Sequence, residues 1–418
     1  MSVISGPNFI NSGIVLHLDA SNLNSYDSTE NLFTNSNDFT TATWIAQPLT
    51  TSVVANTATI EAPNGTLTAW KVTATSTSSY FSIFRSVAIT SNTNYSYSLH
   101  VKSAEMTSGS LTIYTTANNT VNFNLTNKTM TLLSTPDPNF TLNSYVLTDV
   151  ENGWSRVSMN FRHSIDGTYQ FKYNLPDNTT TGSGFYIWGA QIEKNNSAST
   201  YVATTSTIKT RGTSWRDLSG KNYHATLYNT PGFLNGSLQF RSSSNQYAIS
   251  SFDEGVLKAT NKLGSWTIEV LFNHAAVALT SESMLAGRSG CHGGIYQYND
   301  NSLRHAIKTT ETSCWTGALE TTVGNLTTSS SYHTVMVYNS GVTNHYLNGS
   351  LVGTTVFNTS TYNITGYDNS FHIGGIYINP SVRYMTNSNV SLVKCYSRAL
   401  TGVEVALNFN ACRSRVGI

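Results

Sequence analysis

Thr213–Leu227, TSWRDLSGKNYHATL, reads as the end of one strand, a polar turn and the start of another strand. Gly13–Tyr26, GIVLHLDASNLNSY, reads as a strand that runs into a turn-rich stretch. In it Ile14, Leu16 and Leu18 alternate with Val15 and His17, which gives one clearly apolar face. About 180 residues separate the two stretches. If the two belong to one domain, the residues between them form a second domain inserted into a loop of the first, which is tolerated where chain ends lie close together on a surface.

The chain has 418 residues, enough for two or three domains. Only 11% of them are charged and the net charge is +1. Ser, Thr, Asn and Gly fill the gap, and Tyr, Thr and Val are plentiful. This is the palette of an all-β chain whose exposed strand faces are Thr and Ser rather than Lys and Glu. A near-neutral chain offers no electrostatic case for nucleic acid or for an anionic membrane. No apolar run approaches the ~20 residues of a membrane span. No charged leader followed by an apolar stretch opens the chain, so no signal peptide is expected. The four cysteines, Cys291, Cys314, Cys395 and Cys412, are too few for a disulfide framework at this length. Free, mostly buried thiols made in a reducing cytoplasm are the preferred reading, with a Cys291–Cys314 bridge as the alternative.

Residues Glu30 to Thr204 form the candidate insert. Strands are expected at Ala69–Ala74, Tyr80–Ala88, Asn94–Lys102, Ser110–Thr116, Trp154–His163 and Thr168–Asn174. Turn clusters such as Pro63-Asn64-Gly65, Thr107-Ser108-Gly109 and Asp166-Gly167 separate them, as in a sandwich or jelly roll. In TNYSYSLHVKS, Tyr95, Tyr97, Leu99 and Val101 alternate with small polar residues and give one buried face. Ala117–Leu147 is a long polar excursion that reads as an extra hairpin on the insert. Beyond the insert, HYLNGSLVG is a hairpin around Asn348-Gly349. Ala399–Asn410 is the one convincing helix: Leu400, Val403, Ala406 and Leu407 share a face, and Thr401 is a plausible N-cap.

The joined Gly13–Tyr26 and Thr213–Leu227 string resembles the opening of concanavalin A-like (LamG-like) β-sandwich domains found in many phage virion proteins. The following segments resemble that family's strand series in its own order: SLQFRSSSNQYAIS (Ser237–Ser250), GSWTIEVLFN (Gly264–Asn273), the Ser331–Val356 stretch, NSFHIGGIY (Asn369–Tyr377) and the Ser388–Ile418 stretch. The insert resembles carbohydrate-binding-module-like jelly rolls of phage tail and head proteins. Its carriers are ENLFTNSNDFTTATW (Glu30–Trp44), TNYSYSLHVKS, GWSRVSMNF (Gly153–Phe161) and FYIWGAQIE (Phe185–Glu193). The expected fold is therefore all-β. Residues 1–29 and 205–418 would make a discontinuous concanavalin A-like sandwich, and 30–204 an inserted carbohydrate-binding-module-like sandwich.

Three chemistries suit such a fold: hydrolysis, calcium binding and sugar binding. Glucanases on this kind of sandwich set two carboxylates close together on one strand. No E-x-D-x-x-E run occurs. The nearest acids are Asp253-Glu254, which would point to opposite faces of a strand, and the single Glu269, expected to face solvent or a backbone partner. No G-x-S-x-G, H-E-x-x-H, Walker loop or C-x-x-C is present. No catalytic residue is assigned. His372 and His345 read as packed or surface histidines. Calcium takes six to eight oxygens from loops, and Asp19, Asp217 and Asn222 are the candidate ligands. The preferred reading is that both aspartates accept hydrogen bonds from turn amides. Sugar sites need exposed aromatic rings beside amide and hydroxyl partners. Trp44, Tyr186, Trp188 and Gln191 on the insert, and Tyr298 and Trp315 around CHGGIYQYNDNSLRH (Cys291–His305), are the candidates. Core burial of Trp188 is the preferred reading of that residue.

The resemblance implies a non-catalytic virion surface protein, assembled in the host cytoplasm: a capsid decoration or a tail-fibre or adhesin subunit. Its expected partners are other virion proteins, host surface glycans and further copies of itself. A glycan depolymerase on the same fold is the alternative. Met1–Asn11, with Phe9 and Ile10 expected to be exposed, is the candidate docking peg.

Overall fold

The structure is a computed structural model that describes residues 9–47, 52–55, 59–75, 81–176, 180–251, 264–275, 282–288, 293–308, 318–356, 370–378, 381–415 and 417–418. The chain forms two compact units: an outer unit, Met1–Ser28 with Gly212–Ile418, and an insert, Thr29–Arg211. All named pairings between strands are antiparallel, and among the described residues one α-helix occurs, near the C-terminus.

The outer unit holds two large sheets. The first runs Gly232–Leu234, Ser237–Phe240, Ser388–Tyr396, Ser265–His274, Ser331–Asn339, Val342–Leu347, Ser350–Val356, with Ile14–Asp19 also paired to Ser388–Tyr396. The second runs Ser214–Trp215, Ala225–Tyr228, Tyr247–Ser250, Phe371–Ile373, Ser283–Arg288, Gly294–Gln297, Ser302–Lys308, Ala318–Asn325. Between them Leu16, Leu18, Ile268, Val270 and Met336 meet Ala225, Leu285, Ile295, Leu303 and Ile373 in one core. Burying each such large aliphatic side chain contributes about 1.5–3 kcal/mol. The stretches Gly13–Tyr26 and Thr213–Leu227 meet directly: Tyr26 bridges Trp215 antiparallel, and the Gly212 amide donates to the Asp27 carbonyl.

Local chemistry explains the ends of these elements. Asn348 and Gly349 both take positive φ, 48° and 78°, as a two-residue hairpin turn requires. The helix spans Gly402–Cys412, shifted from the expected 399–410. Thr401 caps it: its Oγ1 accepts from the Glu404 amide while Glu404 Oε2 accepts from the Thr401 amide, a complete capping box. The expected apolar face is corrected. Val403 is 72% exposed and Leu407 43%, whereas Val405, Asn408 and Cys412 are buried. The sheet beneath presents the Glu269 carboxylate, which takes a hydrogen bond from Asn408 and so sets which side of the helix turns inward. Cys395 and Cys412 are buried free thiols; Cys291 and Cys314 lie outside the described residues.

The insert is a second sandwich. One sheet runs Phe140–Asp149, Ser155–His163, Asn94–Ser103, Gly184–Glu193, Trp70–Thr73, Ser52–Ala55. The other runs Ile45–Gln47, Phe81–Ile89, Gly167–Leu175, Ser108–Tyr114, Asn118–Asn124, Thr129–Ser134. Its core is aromatic: Phe33, Tyr97 and Phe171 pack edge to face, with Tyr97 5.1 Å from Phe171. Tyr95, Tyr97, Leu99 and Val101 all face this core. Both ends of the insert are tied to it, since Asn31 bridges Lys209 and its Nδ2 donates to the Ala190 and Val202 carbonyls. The polar excursion 117–147 resolves into a hairpin, Asn118–Asn124 with Thr129–Ser134, and the edge strand Phe140–Asp149 of the opposite sheet.

Candidate functional site

Of the aromatic residues singled out in the sequence, Trp44, Trp188 and Tyr298 are buried and Tyr186 is half-buried. Trp44 is buried among Phe33, Phe39 and Tyr173, and its Nε1 donates to the Asn35 carbonyl. Phe185 and Ile187 face the insert core. Tyr186 and Trp188 turn to the other side of their strand, into a satellite cluster with Ala62, Ala69, Trp154 and Tyr201. Trp188 Nε1 donates to Thr68 Oγ1, and Trp154 Nε1 to the Glu61 carbonyl. Gln191 is fully buried, donating to Glu193 and accepting from the Val202 amide. Tyr298 is buried beneath Arg304, whose guanidinium stacks 3.9 Å above its ring, and its hydroxyl donates to Glu320. Trp315 and the Asp253-Glu254 pair fall outside the described residues. Trp188 is buried, as its preferred reading expects, in a cluster on the side of its strand away from the main core.

Asp19 and Asp217 each accept hydrogen bonds from neighbouring protein groups. Asp19 accepts from Ser21 and from Arg415 Nη1 at 2.7 Å. Asp217 accepts from the amides of His17, Ser219 and Tyr223 and from Ser219 Oγ. Their oxygens are occupied by protein donors, as the turn-pin reading expects. Asn222 is exposed in the turn at a φ of 62°. Among the described residues no group of three or more His, Cys, Asp or Glu is placed to hold a metal.

Glu269 does not face solvent. It lies fully buried on the side of the first outer sheet opposite the main core, under the helix. His17, Lys394 and Glu269 are direct cross-strand neighbours in one row. His333 Nε2 donates to Glu269 Oε1 at 3.0 Å, Asn408 Nδ2 to Oε2 at 2.7 Å, and the Tyr396 hydroxyl reaches Oε2 at 3.2 Å. Burial alone would raise the carboxyl pKa. The Lys394 charge and these hydrogen bonds outweigh it and hold the group down at about 2. Burial pushes Lys394 down to about 8, and its Nζ, without a hydrogen-bond partner, sits 3.1 Å over the Phe9 ring. Ile10 is held too: its amide donates to Asn408 Oδ1, and its carbonyl accepts from Tyr396. Phe9 and Ile10 are therefore half-buried parts of the outer unit, and the expectation of an exposed peg is corrected for them; residues 1–8 lie outside the described residues. With one carboxylate, sealed by helix and chain terminus, this constellation staples the helix to the sheet.

An open cleft is found on the insert among the described residues. With a volume of about 690 Å³, it lies on the outward face of the sheet built from Gly167–Leu175, Ser108–Tyr114, Asn118–Asn124 and Thr129–Ser134. Alternation makes it. Leu111, Ile113, Val121 and Phe123 point into the core, so Ser110, Thr112, Thr120 and Asn122 point out. Register then aligns them in rows across the strands: Asn174–Ser110–Asn122–Thr131, and beside it Lys172–Thr112–Thr120–Ser134. A bulge opposite Thr120 and Val121 inserts Leu133, 63% exposed, into the rim. None of the lining residues is charged. Lys172 is buried on the same face, its Nζ 4.7 Å from the Tyr114 ring centroid and 5.6 Å from that of Phe84. Asn174 Nδ2 donates to Ser110 and Thr112, while its Oδ1 has no partner. Sequence reasoning misses this site because its residues come from four strands. The period-2 pattern of Asn118–Asn124 is the one signal of it along the chain.

Comparison with known proteins bears on the outer unit. Residues 242–406 match the family model of the concanavalin A-like lectin/glucanases superfamily. The matched residues lie within the outer unit, whose two facing antiparallel sheets agree with that fold. No curated protein matches the chain. Among solved structures, the chain is similar to the binding domain of Paraclostridial Mosquitocidal Protein 1, at 17% identity over 47% of this chain and 49% of that one, with a TM-score of 0.38. It is similar also to the binding domain of botulinum neurotoxin DC, solved with rat synaptotagmin II, at 13% identity over 47% and 48%, with a TM-score of 0.36. The chain spans about half the length of these structures.

Proposed function

We propose that this protein is a non-catalytic glycan-binding protein of a phage virion surface, with the insert's cleft as its sugar site. The observation that carries the reading is the cleft itself: an uncharged concave face of hydroxyl and amide groups with one buried amide end unpaired. Sugars present hydroxyls around apolar C–H faces, and sites for them offer polar groups fixed on a rigid scaffold. The concanavalin A-like match of the outer unit supports a lectin-like module. The resemblance of the joined sequence to phage virion domains supports a place on a particle, as capsid decoration or as a tail-fibre or adhesin subunit among other virion proteins and copies of itself. The sealed, single-carboxylate environment of Glu269 supports binding without hydrolysis.

The test has two arms. Purified protein on a glycan array should retain a defined set of glycans, and incubation with the retained polysaccharides should release no reducing ends. Release of reducing ends would establish a depolymerase instead. Electron microscopy of intact particles should place the chain on the exterior; its absence from particles would remove the virion role while leaving the glycan site to stand.

A further inference from the structure

The cleft's geometry specifies more than a generic sugar. Resting on the glycan-binding role proposed for the same cleft, we infer that it takes an uncharged, linear oligosaccharide segment lying across the strands, with a sugar hydroxyl seated on Asn174.

Charge sets the class of ligand. The lining contains Ser, Thr, Asn, Gly, Phe, Leu and Pro and no Lys, Arg, His, Asp or Glu. A uronate, sulfate or phosphate would lose its hydration on entering and find no cation to replace it, which is costly for any charged group. The neighbouring cation, Lys172, is buried against two aromatic rings. A neutral glycan loses only hydroxyl–water hydrogen bonds, and the cleft can replace those. A hydrophobic peptide fits poorly, because Phe123 is buried and Leu133 is the apolar group that stands well clear of the surface.

The buried amide sets the group that seats there. Asn174 is 7% exposed, on the cleft floor, and makes two side-chain hydrogen bonds through one end of its amide. Turning the amide over would satisfy the oxygen and leave the NH2 without a partner, so one polar end is unpaired in either orientation. Leaving such a buried group unmade costs about 1–3 kcal/mol. A hydroxyl both donates and accepts, so it completes Asn174 whichever way the amide is turned. Sugars supply hydroxyls at every residue.

Strand register sets length and direction. Asn174, Ser110, Asn122 and Thr131 stand on four neighbouring strands in one row. With strands about 4.8 Å apart the row spans about 14 Å, the length of about three sugar units in an extended chain. The second row, through Thr112, Thr120 and Ser134, gives the other edge of the same chain its partners. Leu133 on the rim offers an apolar contact for a C–H face.

The test uses the full chain, neutral polysaccharides (dextran, mannan, a β-glucan, a galactan), acidic ones (polygalacturonate, hyaluronate) and size-graded oligosaccharides of any that bind. We expect retention of at least one neutral polysaccharide and of neither acidic one. Affinity should change less than about twofold between low and high salt, since no charge pair is there to screen. It should rise with oligosaccharide length to about three units and then level off. Asn174→Ala should weaken binding by about tenfold or more, as expected for one lost hydrogen bond at a buried site. Asn122→Ala and Leu133→Ala, both on the surface and outside the core, should weaken it several-fold with an unchanged melting temperature. Preference for an acidic glycan, or a neutral glycan bound equally by all three variants, would overturn the inference and leave glycan binding standing at another place. Failure to bind any glycan would overturn the functional reading itself.

Discussion

Replacing Glu269 by Gln tests whether the buried row His17–Lys394–Glu269 is held together electrostatically. The substitution keeps the shape but removes the one negative charge that faces Lys394 across the strands. It also puts an NH2 against donors, since His333 and Asn408 both direct hydrogens at this carboxylate. The depressed carboxyl pKa favours folding at neutral pH, while burial of the Lys394 ammonium opposes it. Breaking a buried charge pair by removing one partner costs about 3–5 kcal/mol, because the other charge is left buried and unpaired. Urea unfolding at pH 7 should therefore show the outer-unit transition destabilised by about 3 kcal/mol. The pH dependence carries the sign. A carboxyl whose folded pKa is depressed contributes fully above its unfolded value, and that contribution is lost as pH falls from about 4.5 towards about 2. The variant should lack this loss. Adding Lys394→Met to Glu269→Gln removes the stranded cation and should recover part of the deficit, giving a coupling of about 1–3 kcal/mol in the double-mutant cycle. A single variant within about 1 kcal/mol of the parent, or a cycle with no coupling, would refute the electrostatic account and leave Glu269 as a packing residue.

Deleting Met1–Asn11 removes the Phe9 ring from Lys394 and the Ile10 bonds to Asn408 and Tyr396, so the outer unit's melting temperature should fall by several degrees in calorimetry. Thr401→Ala opens the capping box and should cost about 1 kcal/mol, read by urea unfolding. Gly374→Ala should cost more, about 2–4 kcal/mol by the same assay, because φ is +80° and the added methyl meets the Phe240 ring.

The class of fold was legible because it rests on local rules. Period-2 alternation marked Tyr95 to Val101 as a core face, Asn348-Gly349 marked a hairpin, and Thr401 marked the start of the helix; the structure has all three. Alternation says which residues share a face. It does not say what covers the second face. Ser96, Ser98 and His100 are nearly as buried as Tyr95 and Tyr97, and a bulge between Trp188 and Gln191 turns Gln191 away from the main core into a buried position of its own. The helix shows the same limit. Its apolar pattern pointed to Val403 and Leu407, yet the packed face is Val405, Asn408 and Cys412, because burying Glu269 without a donor would cost more than exposing two aliphatic side chains.

By itself the sequence determined the all-β class, the order of strands, their turns and the near-absence of charge, since each follows from a residue and its close neighbours along the chain. The tertiary structure alone decided which second faces are sealed and where an open one remains. Asn174, Ser110, Asn122 and Thr131 are far apart in sequence and acquire a common purpose only when register sets them side by side. Hydrogen bonding between strands creates that row, and it depends on pairs of positions that no single stretch contains.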